Sequence, residues 1–101
     1  MKNLKLIGAM VDGKPIVDGA DIFNLHDTHG FPLSMSFVQC EERGWMIDWV
    51  GLVKEARTHG WFDSQTWDHI QEAFTDSGSW KSERPEIESR LQTYILHNAT
   101  A

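Results

Sequence analysis

Residues 22–48 read IFNLHDTHGFPLSMSFVQCEERGWMID, and this stretch decides the fold. Gly30, Phe31 and Pro32 interrupt a helical pattern in its middle. Gly ends helices because it enters left-handed conformations without a Cβ clash, and Pro cannot continue a helix but has a fixed φ that suits a helix start. The stretch therefore predicts two short helices joined by a tight corner, with Ser34 as the side-chain N-cap of the second helix.

Further helices are predicted on both sides of this corner. Apolar residues recur at spacings of three and four, and Asp, Gly and Pro residues mark the helix ends. Asp63 is the expected N-cap of the fourth helix, with Phe62 and Trp67 as its hydrophobic staple. The first four predicted helices have the approximate bounds 20–29, 35–43, 48–60 and 63–78. The last one starts near Ser82 or Pro85 and has His97 at its end.

Residues 4–18 predict a β-hairpin, with an irregular arm as the alternative. Asp12 and Gly13 form a strong two-residue turn signal between alternating apolar positions. Pro15 places the return strand at an edge of the sheet, because Pro has no N–H to donate. The fold class is therefore mainly α, with four to five short helices preceded by a short hairpin or arm. We expect one domain over residues 1–101, divided into an arm (1–18), the helix–corner–helix part (19–60) and the C-terminal helices (61–101).

Composition limits the function classes. The chain has 101 residues, 41% of them hydrophobic, and a formal net charge of −6. Its apolar runs are much shorter than the roughly 18 residues that a membrane span needs, and the N-terminal sequence lacks the long apolar region of a secretory signal. One cysteine, Cys40, excludes a disulfide framework, so a cytoplasmic location is expected.

Four residues around the corner have side chains that are suited to chemistry. His26, Asp27 and His29 lie within one helical turn and resemble part of a metal cluster, and Cys40 with a histidine resembles a nucleophile–base pair. Too few further ligands follow at readable spacing, so we expect packing roles and neither a catalytic, a metal nor a cofactor site. Asp27 and Thr28 are expected to hydrogen-bond the backbone amides of the corner.

Tryptophan is the most unusual residue in the composition, with five in the chain: Trp45, Trp49, Trp61, Trp67 and Trp80. Some of these side chains must lie in the core. A chain of this size does not easily bury all five, and exposed tryptophan is common at the centres of protein interfaces. Trp45, Trp61 and Trp80 are therefore the candidate interface residues.

The corner also carries a family resemblance, on residues Gly19, Phe23, Leu25, Asp27, Thr28, Gly30, Phe31, Pro32, Leu33, Glu41, Glu42, Gly44, Ile47, Asp48, Gly51 and Leu52. Over residues 19–57 the chain resembles alanyl-tRNA synthetase, in the segment that begins the helical tRNA-recognition region behind the catalytic core. His26 and His29 replace two tyrosines of the family pattern, and Ser34 replaces an aspartate. The resemblance implies a helical scaffold and a tRNA contact. It does not imply aminoacylation, because the class II catalytic motifs and the zinc-bearing editing domain are absent.

The sequence thus favours a small non-catalytic binding module whose partner is another protein or a second copy of the chain. An accessory tRNA-binding protein is the first alternative, and it requires five basic residues to meet on one face: Lys54, Arg57, Lys81, Arg84 and Arg90. The net negative charge disfavours it, because nucleic-acid binding normally uses a basic surface. A small enzyme or ligand-binding domain using His26, Asp27, His29 and Cys40 is the second alternative.

Overall fold

The computed structural model describes residues 6–11 and 13–97, with side chains from residue 13 onward. Three strands and five helices follow one another in these residues. In chain order they are β1 (Leu6–Val11), β2 (Lys14–Val17), α1 (Gly19–His29), α2 (Leu33–Glu42), β3 (Met46–Ile47), α3 (Trp49–Thr58), α4 (Asp63–Ser77) and α5 (Arg84–His97). The predicted mainly α fold with an N-terminal hairpin is confirmed.

The hairpin belongs to a three-stranded sheet with the order β1-β2-β3. Strand β2 pairs antiparallel with β1 and parallel with β3, so the prediction that the return strand lies at an edge is wrong. Pro15 has no N–H to donate. It is accommodated because β3 pairs only with Ile16 and Val17, so that Pro15 has a strand neighbour on one side only, where it lies opposite Met10 of β1. Asp12 of the predicted turn lies outside the described residues.

Two predicted N-caps are also wrong. Helix α2 begins at Leu33, and Pro32 occupies the cap position without a side-chain bond. The Pro32 carbonyl accepts from the N–H groups of Met35 and Ser36, so the extended Pro32 backbone starts the helix and Ser34 lies inside the first turn. The proline, with its fixed φ, thus sets the helix start one residue before the serine.

Helix α4 begins at Asp63, with Phe62 at its cap position. The Asp63 carboxylate bonds Arg57 of α3 instead of a backbone amide. Phe62 is 78% exposed, so the predicted Phe62–Trp67 staple does not form.

The core is aromatic at its centre. Four rings from three helices and the α4–α5 connection lie with neighbouring centroids 5.0–5.7 Å apart: Phe37, Trp49, Phe74 and Trp80. Aliphatic side chains surround them, including Val17 of β2, Ile22 of α1 and Leu91 of α5. Every helix therefore contributes to one core, and the sheet covers part of it through β2 and β3.

Candidate functional site

The corner between α1 and α2 is built by backbone bonds around Gly30. Gly30 has φ 68°, in the left-handed region, and its N–H donates to the His26 carbonyl at 3.0 Å. The Phe31 N–H donates to the Leu25 carbonyl at 3.2 Å. These bonds satisfy carbonyls that the helix end would otherwise leave unpaired, and Pro32 then starts α2.

His26 is the side chain that hydrogen-bonds the backbone of the corner, whereas the sequence predicted Asp27 and Thr28 for this role. His26 Nδ1 lies 3.2 Å from the Phe31 carbonyl oxygen and, since that oxygen only accepts, donates its proton. The Asp27 carboxylate instead pairs with His59 at 3.2 Å, and the Thr28 hydroxyl is exposed. The predicted bonds from Asp27 and Thr28 to the corner amides are therefore not formed. The ring of His26 reaches the Phe31 backbone, whereas Asp27 lies on the side of α1 that faces the end of α3.

A polar network joins α1 to the end of α3. The His59 ring lies between two carboxylates, with Asp27 Oδ2 3.2 Å from Nδ1 and Glu55 Oε2 3.2 Å from Nε2. Asn24 donates to the same Glu55 oxygen at 3.2 Å, and the Phe23 ring packs against His59 at 4.9 Å. These side chains are bonded to one another and join α1 to the end of α3.

The residues of the two chemical alternatives do not form one site. Within 6–11 and 13–97, no group of three or more histidine, cysteine, aspartate or glutamate side chains could hold a metal ion. His26 is engaged at the corner, and His29 is exposed at the end of α1. Cys40 lies in the apolar core with no exposed surface.

Burial makes Cys40 a packing residue rather than a nucleophile. Loss of solvation raises the pKa of its thiol to about 12, although the charge of Arg43 acts in the opposite direction. The thiolate is the reactive form, so native Cys40 should react with a disulfide reagent such as DTNB far more slowly than the urea-unfolded chain does. The measurement is the rate of thiol release at mildly alkaline pH with and without urea. Equal rates in the two conditions would show that Cys40 is accessible in the folded protein.

Trp61 occupies a position that helix ends commonly give to an apolar residue. Its N–H donates to the Ala56 carbonyl and the Gly60 N–H donates to the Arg57 carbonyl, both at 3.0 Å, which is the Schellman pattern. The indole packs edge-on against Phe23, with ring centroids 5.0 Å apart. Trp61 is therefore half-buried, and its contact with Phe23 accounts for this burial within the chain.

Trp45 is placed by the same pattern at the end of α2. Its N–H donates to the Cys40 carbonyl at 2.9 Å, and the Gly44 N–H donates to the Glu41 carbonyl at 3.1 Å. The Arg43 guanidinium covers the indole at 4.9 Å. Trp45 is therefore also half-buried and already has a cationic neighbour.

Trp80 is a core residue, and the prediction that it lies at an exposed interface is wrong. Only 4% of its surface is exposed, and its indole N–H donates to the Phe37 carbonyl at 2.9 Å. Its backbone N–H donates to Glu41 Oε2 at 2.7 Å. The polar linker in which it lies gave no sequence signal of burial, because its partners are 39 and 43 residues away.

The arginines of the predicted tRNA surface form ion pairs within the chain. Arg57 bonds Asp63 through two nitrogens, each at 2.8 Å. Arg84 bonds Glu88 at 2.9 Å, and a longer pair at 3.3 Å joins Arg90 and Glu86. Three of the five basic residues that a tRNA surface needs are therefore paired with carboxylates.

An open, largely apolar groove lies between the beginning of α4 and the end of α5 and is called the α4/α5 groove below. Its volume is about 460 Å³ and its lining residues are Asp63, Ser64, Trp67, Gln92, Ile95 and Leu96. Leu96 is 77% exposed, and Phe62, next to the lining residue Asp63, is 78% exposed. Sequence reasoning missed this groove. The available signal was Leu96, which lies off the apolar face formed by Ile87 and Leu91.

The ion pair at the end of this groove has a predictable pH dependence. Hydrogen bonds from Arg57 lower the pKa of Asp63, so the pair stabilises the fold above the ordinary carboxyl pKa of 3.8 and this contribution is lost as the pH falls through the lowered value. Asp63→Asn should cost about 1 kcal/mol or less at neutral pH, because the pair is partly exposed. Urea unfolding measures the free energy of unfolding of wild type and of Asp63→Asn. The difference between the two proteins should be smaller at about pH 3 than at neutral pH. Asp68→Asn is the control and should cost nothing; a pH-independent effect of Asp63→Asn would contradict the ion-pair explanation.

Comparison with known proteins finds similarity to alanine–tRNA ligases of several bacteria. The chain is 48% identical over 47 residues to the alanine–tRNA ligase of Polynucleobacter asymbioticus, a match that covers 46% of this chain and 5% of the ligase. It is 41% identical over 47 residues to the ligase of Lactococcus lactis subsp. cremoris, with the same coverage of 46% and 5%. A longer match, 31% identical over 78 residues, covers 74% of this chain and 9% of the ligase of Corynebacterium diphtheriae.

These matches span less than a tenth of the ligases' length. No protein-family model matches the chain, and no solved structure matches it. In the part of the chain that the structure describes, no helix is long and apolar enough to cross a membrane. The predicted resemblance is confirmed: this chain contains a segment similar to a small part of alanine–tRNA ligase.

Proposed function

We propose that this chain is a non-catalytic, cytoplasmic protein-interaction module in which the synthetase-like helix–corner–helix supports a partner-binding surface at the α4/α5 groove. The observation that carries the proposal is the exposure of Leu96, which lines the groove and is 77% exposed, and of Phe62, which precedes the lining residue Asp63 and is 78% exposed. Burying such side chains against a partner is favourable by about 25 cal/mol per Å² of apolar surface. Large apolar side chains exposed at a concave surface favour an interaction site.

The non-catalytic part of the proposal is supported by the state of the candidate chemical groups. Cys40 is buried, and burial raises its pKa to about 12. His26 bonds the corner carbonyl, and His59, the other histidine beside Asp27, is engaged by two carboxylates. These side chains are used to hold the fold.

Capture by matched surface variants tests the groove. The experiment compares immobilised wild type with the double variant Phe62→Ser/Leu96→Ser and with Met35→Ser. Met35→Ser is the control, because Met35 is an apolar residue of α2 that is 47% exposed. We expect wild type and Met35→Ser to retain proteins that the double variant does not retain. If all three forms hold the same proteins, the groove is not the interaction surface.

A tRNA-binding role is the weaker candidate. Arg57, Arg84 and Arg90 are paired with carboxylates, and the chain carries a net charge of −6. We therefore expect no shift of tRNA on a native gel at low salt with protein at about tens of micromolar, because low salt favours any electrostatic binding to phosphates. A shift that added salt abolishes would restore the tRNA-binding role.

A further inference from the structure

A small cleft between the corner and α4 brings two histidines and two carboxylates together. His26 of α1 lines it with His69, Glu72 and Asp76 of α4, and these four residues define what is called the histidine cleft below. Its volume is about 150 Å³, smaller than the roughly 300–1,000 Å³ of sites for organic ligands. A cleft of this size suits a small ion with a few water molecules.

The charged side chains of the histidine cleft are negative. Glu72 and Asp76 are exposed on α4, and among the described residues no lysine or arginine lines the cleft. The two carboxylates follow His69 by three and seven residues, a spacing that puts all three side chains on one face of the helix. The cleft therefore favours a cation over an anion.

The two histidines have the hydrogen-bond pattern of metal ligands. His26 Nδ1 lies 3.2 Å from the Phe31 carbonyl oxygen, and His69 Nδ1 lies 2.9 Å from the Gln65 carbonyl oxygen. A carbonyl oxygen only accepts, so each Nδ1 carries the proton and each neutral ring keeps a lone pair on Nε2. Histidines that bind metals usually donate their other ring nitrogen in such a bond, which fixes the tautomer and the orientation of the ring.

The two imidazole rings are also close to each other. Their centroids are 6.2 Å apart, and the Trp61 indole contacts both rings, at 6.3 Å from His26 and 4.7 Å from His69. Zinc lies about 2.0–2.1 Å from a histidine nitrogen, so one tetrahedral ion holds two ring centroids roughly 5 Å apart. Rotation of the half-buried His69 side chain closes the remaining gap of about 1 Å.

We propose that the histidine cleft binds one divalent transition-metal ion of the zinc type through Nε2 of His26 and Nε2 of His69. Zinc, copper and nickel accept imidazole nitrogen, whereas magnesium and calcium prefer oxygen ligands. Within residues 6–11 and 13–97 no three side chains form a complete metal group, so the two imidazoles are the primary ligands and water fills open positions. Glu72, one turn after His69, joins as a third ligand when its exposed side chain rotates.

Titration of zinc chloride into the untagged chain, followed by calorimetry, tests the site. We expect one ion per chain, and His26→Asn and His69→Asn should each weaken binding about tenfold or more, because each removes one imidazole ligand. Asparagine keeps an N–H near the place of Nδ1, so the bond to the backbone carbonyl is retained and the variants fold. His97→Asn is the matched control, because His97 is exposed at the end of α5, and it should bind zinc like wild type.

Two further measurements do not depend on the folding of the asparagine variants. In wild type, the imidazole ¹⁵N signals of His26 and His69 should shift together as zinc is added, while those of His59 and His97 stay in place. Zinc should also raise the urea midpoint of wild type, because the ion binds the folded chain in preference to the unfolded one. Magnesium chloride should produce neither effect.

Several results would overturn the metal site. No heat at millimolar zinc, a shift of only one of the two histidines, or an equal loss of affinity in His97→Asn and His69→Asn would each do so. A stoichiometry of one ion per two chains would replace the site within the chain by one between two copies. None of these results bears on the α4/α5 groove, which the surface variants test separately.

Discussion

Gly19→Ala should lower the free energy of unfolding by about 3 kcal/mol or more, since overpacking of a closed contact costs 1–3 kcal/mol and rigid neighbours put the cost at the upper end. A Cβ at Gly19 would overlap the Asp48 carbonyl oxygen and the Leu52 backbone nitrogen. Both atoms belong to the first turn of α3, so neither can rotate away as a side chain can. Helix α1 would have to move off α3, and the buried contacts of Ile22 would be lost with it.

Gly51→Ala is the matched control for Gly19→Ala. A Cβ at Gly51 would meet the Asp48 carboxylate, which is a side chain and can move. Asp48 would then lose its cap bond to the Gly51 N–H, at a cost of about 1 kcal/mol. Alanine regains about 1 kcal/mol of helix propensity, so the net change should be small. Urea unfolding followed by circular dichroism measures both variants, and a Gly19→Ala loss as small as that of Gly51→Ala would contradict the backbone contact.

Trp80→Ala should cost about 3–5 kcal/mol, the range for truncating a buried large aromatic residue. The indole is 4% exposed, stands edge-on to Trp49 at 5.7 Å and donates to the Phe37 carbonyl. Its removal leaves a cavity at the aromatic centre and takes away the hydrogen bond from the indole to the Phe37 carbonyl. Urea unfolding should show a lower midpoint concentration and an unchanged m-value. The m-value stays the same because the substitution changes stability and hardly changes the surface that unfolding exposes.

A second substitution at the same position separates packing from backbone strain. Trp80 has φ 58°, and it is the non-glycine residue with positive φ among those that the structure describes. A left-handed conformation costs a residue with a Cβ about 1–2 kcal/mol, and glycine escapes this cost. Trp80→Gly should therefore be about 1 kcal/mol more stable than Trp80→Ala, although it has the smaller side chain. If the alanine variant is the more stable of the two, the strain argument is wrong.

Local chemistry explains what could be read from the sequence. Gly30 ends α1, Asp48 caps α3 and Gly78 ends α4, because each of these roles depends on atoms within four residues along the chain. Asp63 shows the limit of such reasoning. It has the side chain of an N-cap, yet its carboxylate is bonded by Arg57 from the preceding helix, and Phe62 takes the cap position.

The candidate site was harder to predict than the fold, because exposure depends on which helices meet. Trp45 and Trp61 follow helix-ending glycines, and that position explains their half-burial without an interface. The groove was missed because Trp67 and Leu96 belong to different helices, 29 residues apart in sequence, and come together only in the folded structure. Helical periodicity describes one helix at a time and carries no information about a gap between two.

The sequence by itself determined the five helices, the hairpin and the corner at residues 30–32, since these depend on φ preferences, capping groups and apolar spacing within single segments. Only the tertiary structure decided that β2 lies between two strands, that Trp80 is buried and that the apolar groove opens between α4 and α5. The physical reason is distance along the chain: Trp80 is held by groups of residues 37 and 41, and β2 is paired with residues 46 and 47. Local propensities do not specify which distant partners meet; packing of the whole core does.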